Sequence, residues 1–341
     1  MYKYLKKILL LFLLAFAIVK IISVFMPYHY GNVWYSAKMN NLNKVDKKFN
    51  TFFFGSSRFY RQVNPVLFDQ EISDCKVKSY NLAAPATFCP QNYYLLENFL
   101  DSEPELNIET KFCFIELMDV DTISPKLLHQ ERTNYFLNTR YFTFALNSIK
   151  SNRNLSKFEK YKSIKKYLTS FIEKQLNLGH FSQQLIKPNY YNEDYVGING
   201  FYPLETELEQ TLDLNIKNNL IKRNLNLNKK GLLNKCNDYD RSKKTNAFLD
   251  QIHAEKIRNL IKKYGERNIK IIFVLAPRNI SPSLIKLYDT IEHSNKINLC
   301  DPEKYPEFYS ISNSFDLGHL NINGSEIFTK ALAFEFKKMM N

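Results

Sequence analysis

The chain has 341 residues, 45% of them hydrophobic and 15% aromatic, enough to bury a sizeable core, so disorder is excluded as a description of the whole. Lys and Arg outnumber Asp and Glu by 47 to 34, but the excess of +13 is dispersed and forms no compact Arg-rich stripe, which sets nucleic-acid binding aside. Five cysteines make no CxxC pair and no Cys/His cluster at ligand spacing, so no metal is expected, and no organic cofactor is implied.

Residues 8–26 are an apolar stretch interrupted by Lys20. As a helix its nineteen residues span about 29 Å, against about 30 Å for a bilayer core. Lys3, Lys6 and Lys7 precede it and, by the positive-inside rule, keep that end in the cytoplasm. Everything after about residue 27 is then expected outside it. Ala15-Phe16-Ala17 resembles a cleavage site, but the apolar stretch continues well past it, so an uncleaved anchor over residues 1–27 is the preferred reading. Lys20 falls near the outer third, where its stem can snorkel toward the interface.

Residues 28–50 read as a short polar connection. A strand is predicted at 51–54, stopped by Gly55, and Pro65 opens a helix. Strands follow at 77–82 and 112–117, with a helix between them over 92–100. Residues 120–246 break the rhythm and read as a mainly helical insertion. Within it Leu155, Phe158, Tyr161, Ile164, Leu168, Phe171 and Ile172 recur at helical spacing, with Lys157, Lys160, Lys162, Lys165 and Lys166 largely elsewhere. Such a helix either lies on an anionic membrane surface or forms a lid with a solvated lysine face, the second reading being favoured. The Asn- and Lys-rich stretch 215–246 reads as a flexible surface region. Beyond 247 come a helix at 248–264, strands at 269–275 and 297–300, and helices at 283–291 and 324–339. Strands alternating with helices predict a parallel sheet covered on both faces. Cys75 with Cys89 is a candidate disulfide, whereas Cys113, in an apolar run, reads as a buried small hydrophobe.

Two short motifs carry chemistry. Phe54-Gly55-Ser56-Ser57-Arg58 sits at the end of the first strand, where ligands bind in open α/β sheets. Gly55 permits a tight turn there, and a serine hydroxyl can enter the crevice while backbone N–H groups face an oxyanion. Asp316-Leu317-Gly318-His319 precedes the last helix. A serine needs a base within hydrogen-bond reach, and the base needs a carboxylate to fix its tautomer. Each motif alone is also compatible with a helix cap or a surface turn.

Together they resemble the SGNH (GDSL-like) hydrolase superfamily, whose nucleophile lies near the domain start and whose Asp-x-x-His lies near its end. Asn64-Pro65-Val66-Leu67-Phe68-Asp69, Ser79-Tyr80-Asn81-Leu82-Ala83 and His319-Leu320-Asn321 look like its membrane-anchored branch, associated with O-acylation of cell-surface polymers. Alginate-type O-acetylation proteins and the D-alanylation protein of teichoic acid synthesis are of this kind. The resemblance covers 51–117 and 247–340. It implies a flavodoxin-like three-layer α/β sandwich in two halves, 51–119 and 247–341. It also implies Ser57 as nucleophile (Ser56 as fallback), His319 as base, Asp316 as its orienting partner, and oxyanion donors from Ser57 and the Asn81–Ala84 turn. Arg58 either binds an anionic substrate group or pairs with a surface carboxylate. The implied partners are the bilayer, a glycan substrate and a polytopic membrane protein supplying the acyl group; the implied place is a bacterial envelope.

The chain departs from the family in two blocks. Ala83 and Ala84 stand where a glycine is usual, and Glu116-Leu117-Met118-Asp119-Val120-Asp121 replaces Gly-x-Asn-Asp. An inactive glycan-binding or scaffold domain is therefore the competing expectation. A structural envelope protein with a chance motif match is the third, and it predicts Ser57 and His319 far apart.

Overall fold

A computed structural model describes residues 2–45, 48–102, 109–120, 135–153, 155–176 and 196–340. Its centre is a five-stranded, all-parallel sheet: β1 (Thr51–Phe54), β2 (Ser79–Asn81), β3 (Phe112–Glu116), β4 (Lys270–Leu275) and β5 (Lys296–Asn298). The strand order is β2-β1-β3-β4-β5. That order belongs to the doubly wound α/β architecture, and its direction reverses between β1 and β3. Thr51 pairs with Ser79 on one side and with Phe112 on the other, so β1 feeds its turn straight into the crevice at that reversal.

Phenylalanine-rich strands suit this position because both faces of the sheet are covered. Phe52 and Phe54 point into one core with Cys113, Ile115, Ile271 and Phe273. Phe53 points into the other with Phe114, Ile272 and Val274. The first face is covered by α2 (Val33–Lys44), α5 (Gln91–Asp101), α6 (Thr139–Ser151), α11 (Gln251–Gly265) and α12 (Pro282–Asp289). The second is covered by α3 (Ser57–Gln62), α4 (Pro65–Glu71) and α13 (Ile322–Met340). The remaining helices are α1 (Tyr2–Val24), α7 (Lys157–Gln175), α8 (Leu204–Gln210), α9 (Leu214–Leu225) and α10 (Lys229–Lys244). α1 is long and apolar enough to cross a membrane, and none of it is buried against the rest of the chain.

Three expectations change. The stretch 28–50 is not a mere connection: α2 inside it buries Tyr35, Met39 and Leu42. Its polar look misleads because Lys38 is fully buried, its Nζ donating to the carbonyls of Asn81 (2.9 Å) and Ala83 (2.5 Å). The stretch 215–246 is helical, since Asp213 and Asn228 cap α9 and α10 and their few apolar residues, Leu220, Leu232 and Tyr239, are buried. Cys75 and Cys89 are unpaired and belong to opposite faces of the sheet.

Candidate active site

Ser56 starts α3, its Oγ accepting the Arg58 N–H at 3.2 Å as an N-cap. That cap leaves Ser57 as the first helical residue, with its side chain facing the loop before α13. Ser57 Oγ lies 2.8 Å from His319 Nε2. On the other side of the imidazole, Nδ1 lies 3.0 and 3.2 Å from the two carboxylate oxygens of Asp316. The tautomer that satisfies both contacts carries its proton on Nδ1 and accepts the Ser57 hydroxyl at Nε2.

The Asp-x-x-His loop is a closed turn. Asp316 Oδ1 also accepts the N–H groups of Gly318 (2.7 Å) and His319 (2.8 Å), so its carboxylate cannot swing away from the ring. Arg278, just past β4, holds the loop from inside. Its Nη1 donates to the Asp316 and His319 carbonyls at 2.9 and 3.1 Å, and its Nε to Phe308 O at 2.7 Å. Arg223 of α9 grips Asp316 from outside, Nε donating at 3.0 Å and Nη2 forming an ion pair with the same Oδ2. Nη2 also lies 3.0 Å from His319 Nδ1, which the protonated nitrogen cannot accept, so its attraction is to the carboxylate.

These surroundings tune the pair in opposite ways. Burial lowers the His319 pKa and Arg223 adds to that, against the hydrogen bond and charge of Asp316, which raise it; the net shift is downward. The imidazole is thus neutral and able to accept a proton at neutral pH. Burial alone would raise the Asp316 carboxyl, but the His319 hydrogen bond and charge, Arg223 and the Gly318 N–H hold it well below the usual carboxylate range. It stays an anion beside the ring.

Two expected oxyanion donors are committed elsewhere. The Asn81 amide donates to Phe59 O (2.8 Å) and Val63 O (2.9 Å), closing the end of α3, and its backbone N–H donates to Asn199 O. The Ala84 N–H donates to Gly55 O at 3.1 Å. The Ser57 N–H, at a helix start, has no acceptor within α3.

Arg58 neither meets a surface carboxylate nor reaches out for an anion. Its Nε and Nη2 meet Glu116 Oε1 at 2.6 and 2.5 Å, and its Nη groups donate to the Asn279 amide oxygen when that amide is turned to face them. Glu116 is fully buried at the end of β3, and its Oε2 accepts the Ser56 N–H at 2.6 Å. This explains Gly55, though not by turn conformation: a Cβ there would stand 2.7 Å from Glu116 Oε2. Glu116, Arg223 and Arg278 were not legible as site residues. Their only sequence signal is place, at the ends of β3 and β4 and inside the insertion. Asp121, from the divergent block, lies outside the described residues.

A buried-carboxylate, imidazole and hydroxyl chain of this geometry can activate the hydroxyl for attack on an acyl carbon. No protein-family model matches the sequence, and a comparison with curated proteins finds no match, so the reading of this site rests on its own geometry.

Proposed function

We propose that this protein is a membrane-anchored, extracytoplasmic serine esterase or O-acyltransferase acting on a cell-envelope or exported glycan. The observation that carries the reading is the 2.8 Å contact between Ser57 Oγ and His319 Nε2, with Asp316 on the far ring nitrogen. In the proposed reaction Ser57 Oγ attacks the acyl carbonyl and its proton passes to His319 Nε2. The donor alcohol leaves with that proton, and an ester remains on Ser57. Water or a sugar hydroxyl, deprotonated by His319, then takes the acyl group and regenerates the serine. The resemblance to SGNH proteins adds the substrate class and a polytopic membrane partner delivering the acyl group.

A second reading, an inactive glycan-binding or scaffold domain, draws support from the committed Asn81 and Ala84 donors, because a missing oxyanion donor costs about 10²–10³ in rate.

A serine-reactive fluorophosphonate probe separates the two readings. We expect labelling of the parent chain, its loss in Ser57→Ala and His319→Ala, and its retention in Ser56→Ala, which removes only a helix cap worth about 0.5–2 kcal/mol. No labelling of the folded full chain, with and without its membrane fraction, would favour the inactive domain.

A further inference from the structure

α7 exposes large apolar side chains in a pattern that packing among the described residues does not use. Ile164, Tyr167 and Phe171 turn inward, Phe171 stacking on Phe142 of α6 with ring centroids 4.3 Å apart. Phe158, Tyr161, Leu168 and Ile172 are 72%, 65%, 45% and 47% exposed. At about 100° per residue these four fall within a sector of about 80°, centred about 110° around the helix from the inward face. Lys157 borders one side of the stripe and Lys162 the other, with Lys165 inside it, and all three are exposed. A helix on a solvated lid has no need of a second apolar face; a helix lying in a lipid interface does.

The end of α7 meets α1. Gln175 Oε1 accepts a hydrogen bond of 2.5 Å from Lys20 Nζ of α1. Lys20 stands four residues before the end of α1 at Val24, about 6 Å along the axis, the depth of a headgroup boundary. Lys174 Nζ donates to Tyr135 O, tying the same end to the domain. We infer that α7 lies on the bilayer that α1 enters, its Phe158–Ile172 stripe among the outer acyl chains and its lysines on anionic headgroups. The inference rests on α1 spanning that bilayer.

The test uses the full chain in lipid nanodiscs, in a Trp34→Phe background that removes the one native tryptophan. Single tryptophans are placed by Leu13→Trp in α1, by Phe158→Trp and Leu168→Trp in α7, and by Leu212→Trp on the exposed turn before α9. Lipids brominated near the headgroup end of their chains quench indole emission on contact. We expect both α7 tryptophans to lose emission at least as strongly as that at position 13, while that at 212 keeps its own. The α7 quenching should be stronger in phosphatidylcholine/phosphatidylglycerol discs than in phosphatidylcholine alone. The triple change Lys157→Glu, Lys162→Glu, Lys165→Glu should abolish that difference, with circular dichroism confirming retained helix. Quenching at 13 but not at 158 or 168 overturns the inference and leaves the span standing. Quenching indifferent to lipid charge overturns the anionic-surface assignment. No quenching at 13 removes the span and the inference together.

Discussion

Arg223 is the residue whose placement most changes the chemistry expected of the site. It comes from the insertion, not from either half of the sheet domain, yet it bonds Asp316 and stands beside the imidazole. Its positive charge disfavours imidazolium, so it helps keep His319 below the ordinary imidazole pKa. The neutral ring is the reactive form, and reactivity should fall as pH drops through the His319 pKa. Arg223→Met removes a charge that lowers that pKa, so the acid limb should move to higher pH in the rate of fluorophosphonate labelling. Asp316→Asn removes the influences that raise it, so the limb should move to lower pH, with a rate loss of about 10⁴. A limb that stays in place in both variants would mean that His319 is not the titrating base. Ser57, Asp316 and His319 were legible from two short motifs because such motifs fix local chain direction. Arg223 was not, because nothing in an Asn- and Lys-rich helix marks which cation will meet a carboxylate 93 positions away.

At the scale of elements, the strands were legible and the helices around them only partly. β1 and β3 announce themselves as phenylalanine-rich runs because both sheet faces are dry, and the long helices α11 and α13 carry a clear apolar side. α2 was hidden by Lys38, a buried cation whose partners are backbone carbonyls that no sequence pattern reveals. α9 and α10 were hidden by asparagine, a poor helix interior residue but a good cap. Among the described residues, the contacts that bind the insertion to the sheet domain around the site include Asn199 at Asn81, Tyr202 and Glu207 at Arg61, and Arg223 at Asp316. Gly200 makes the first of these possible. Its φ is +88° and an added Cβ would sit 2.0 Å from Asn81 O. Gly200→Ala should therefore cost at least about 1–3 kcal/mol from backbone strain alone, read as a lower denaturation midpoint. Gly265→Ala is the matched control: beyond its chain neighbours and its own helix backbone no atom lies within 4 Å of the added Cβ, so the midpoint should not fall. Equal midpoints in the two variants would sink the idea that this loop is pinned to β2.

At the scale of the whole molecule, the site lies where strand order reverses between β1 and β3, with Ser57 just past one strand and Glu116 at the end of the other. Which side of the membrane that crevice faces decides what donor can reach it. With Lys3, Lys6 and Lys7 ahead of α1, the orientation we propose from the positive-inside rule has the sheet domain outside the cytoplasm. There an acyl group has to be handed across the membrane; inside, soluble thioester donors would be at hand and no membrane partner would be needed. Leu212, 96% exposed between α8 and α9, offers a neutral reporter. In a Cys75→Ser, Cys236→Ser background, which removes the two partly exposed thiols, Leu212→Cys should react with a membrane-impermeant maleimide on intact cells. Reaction only after lysis would place the domain in the cytoplasm. The proposed acyl transfer through Ser57 would survive that result, because its geometry is local. The glycan acceptor and the membrane-borne donor, which the resemblance adds to the proposal, would not, since both require the outward orientation.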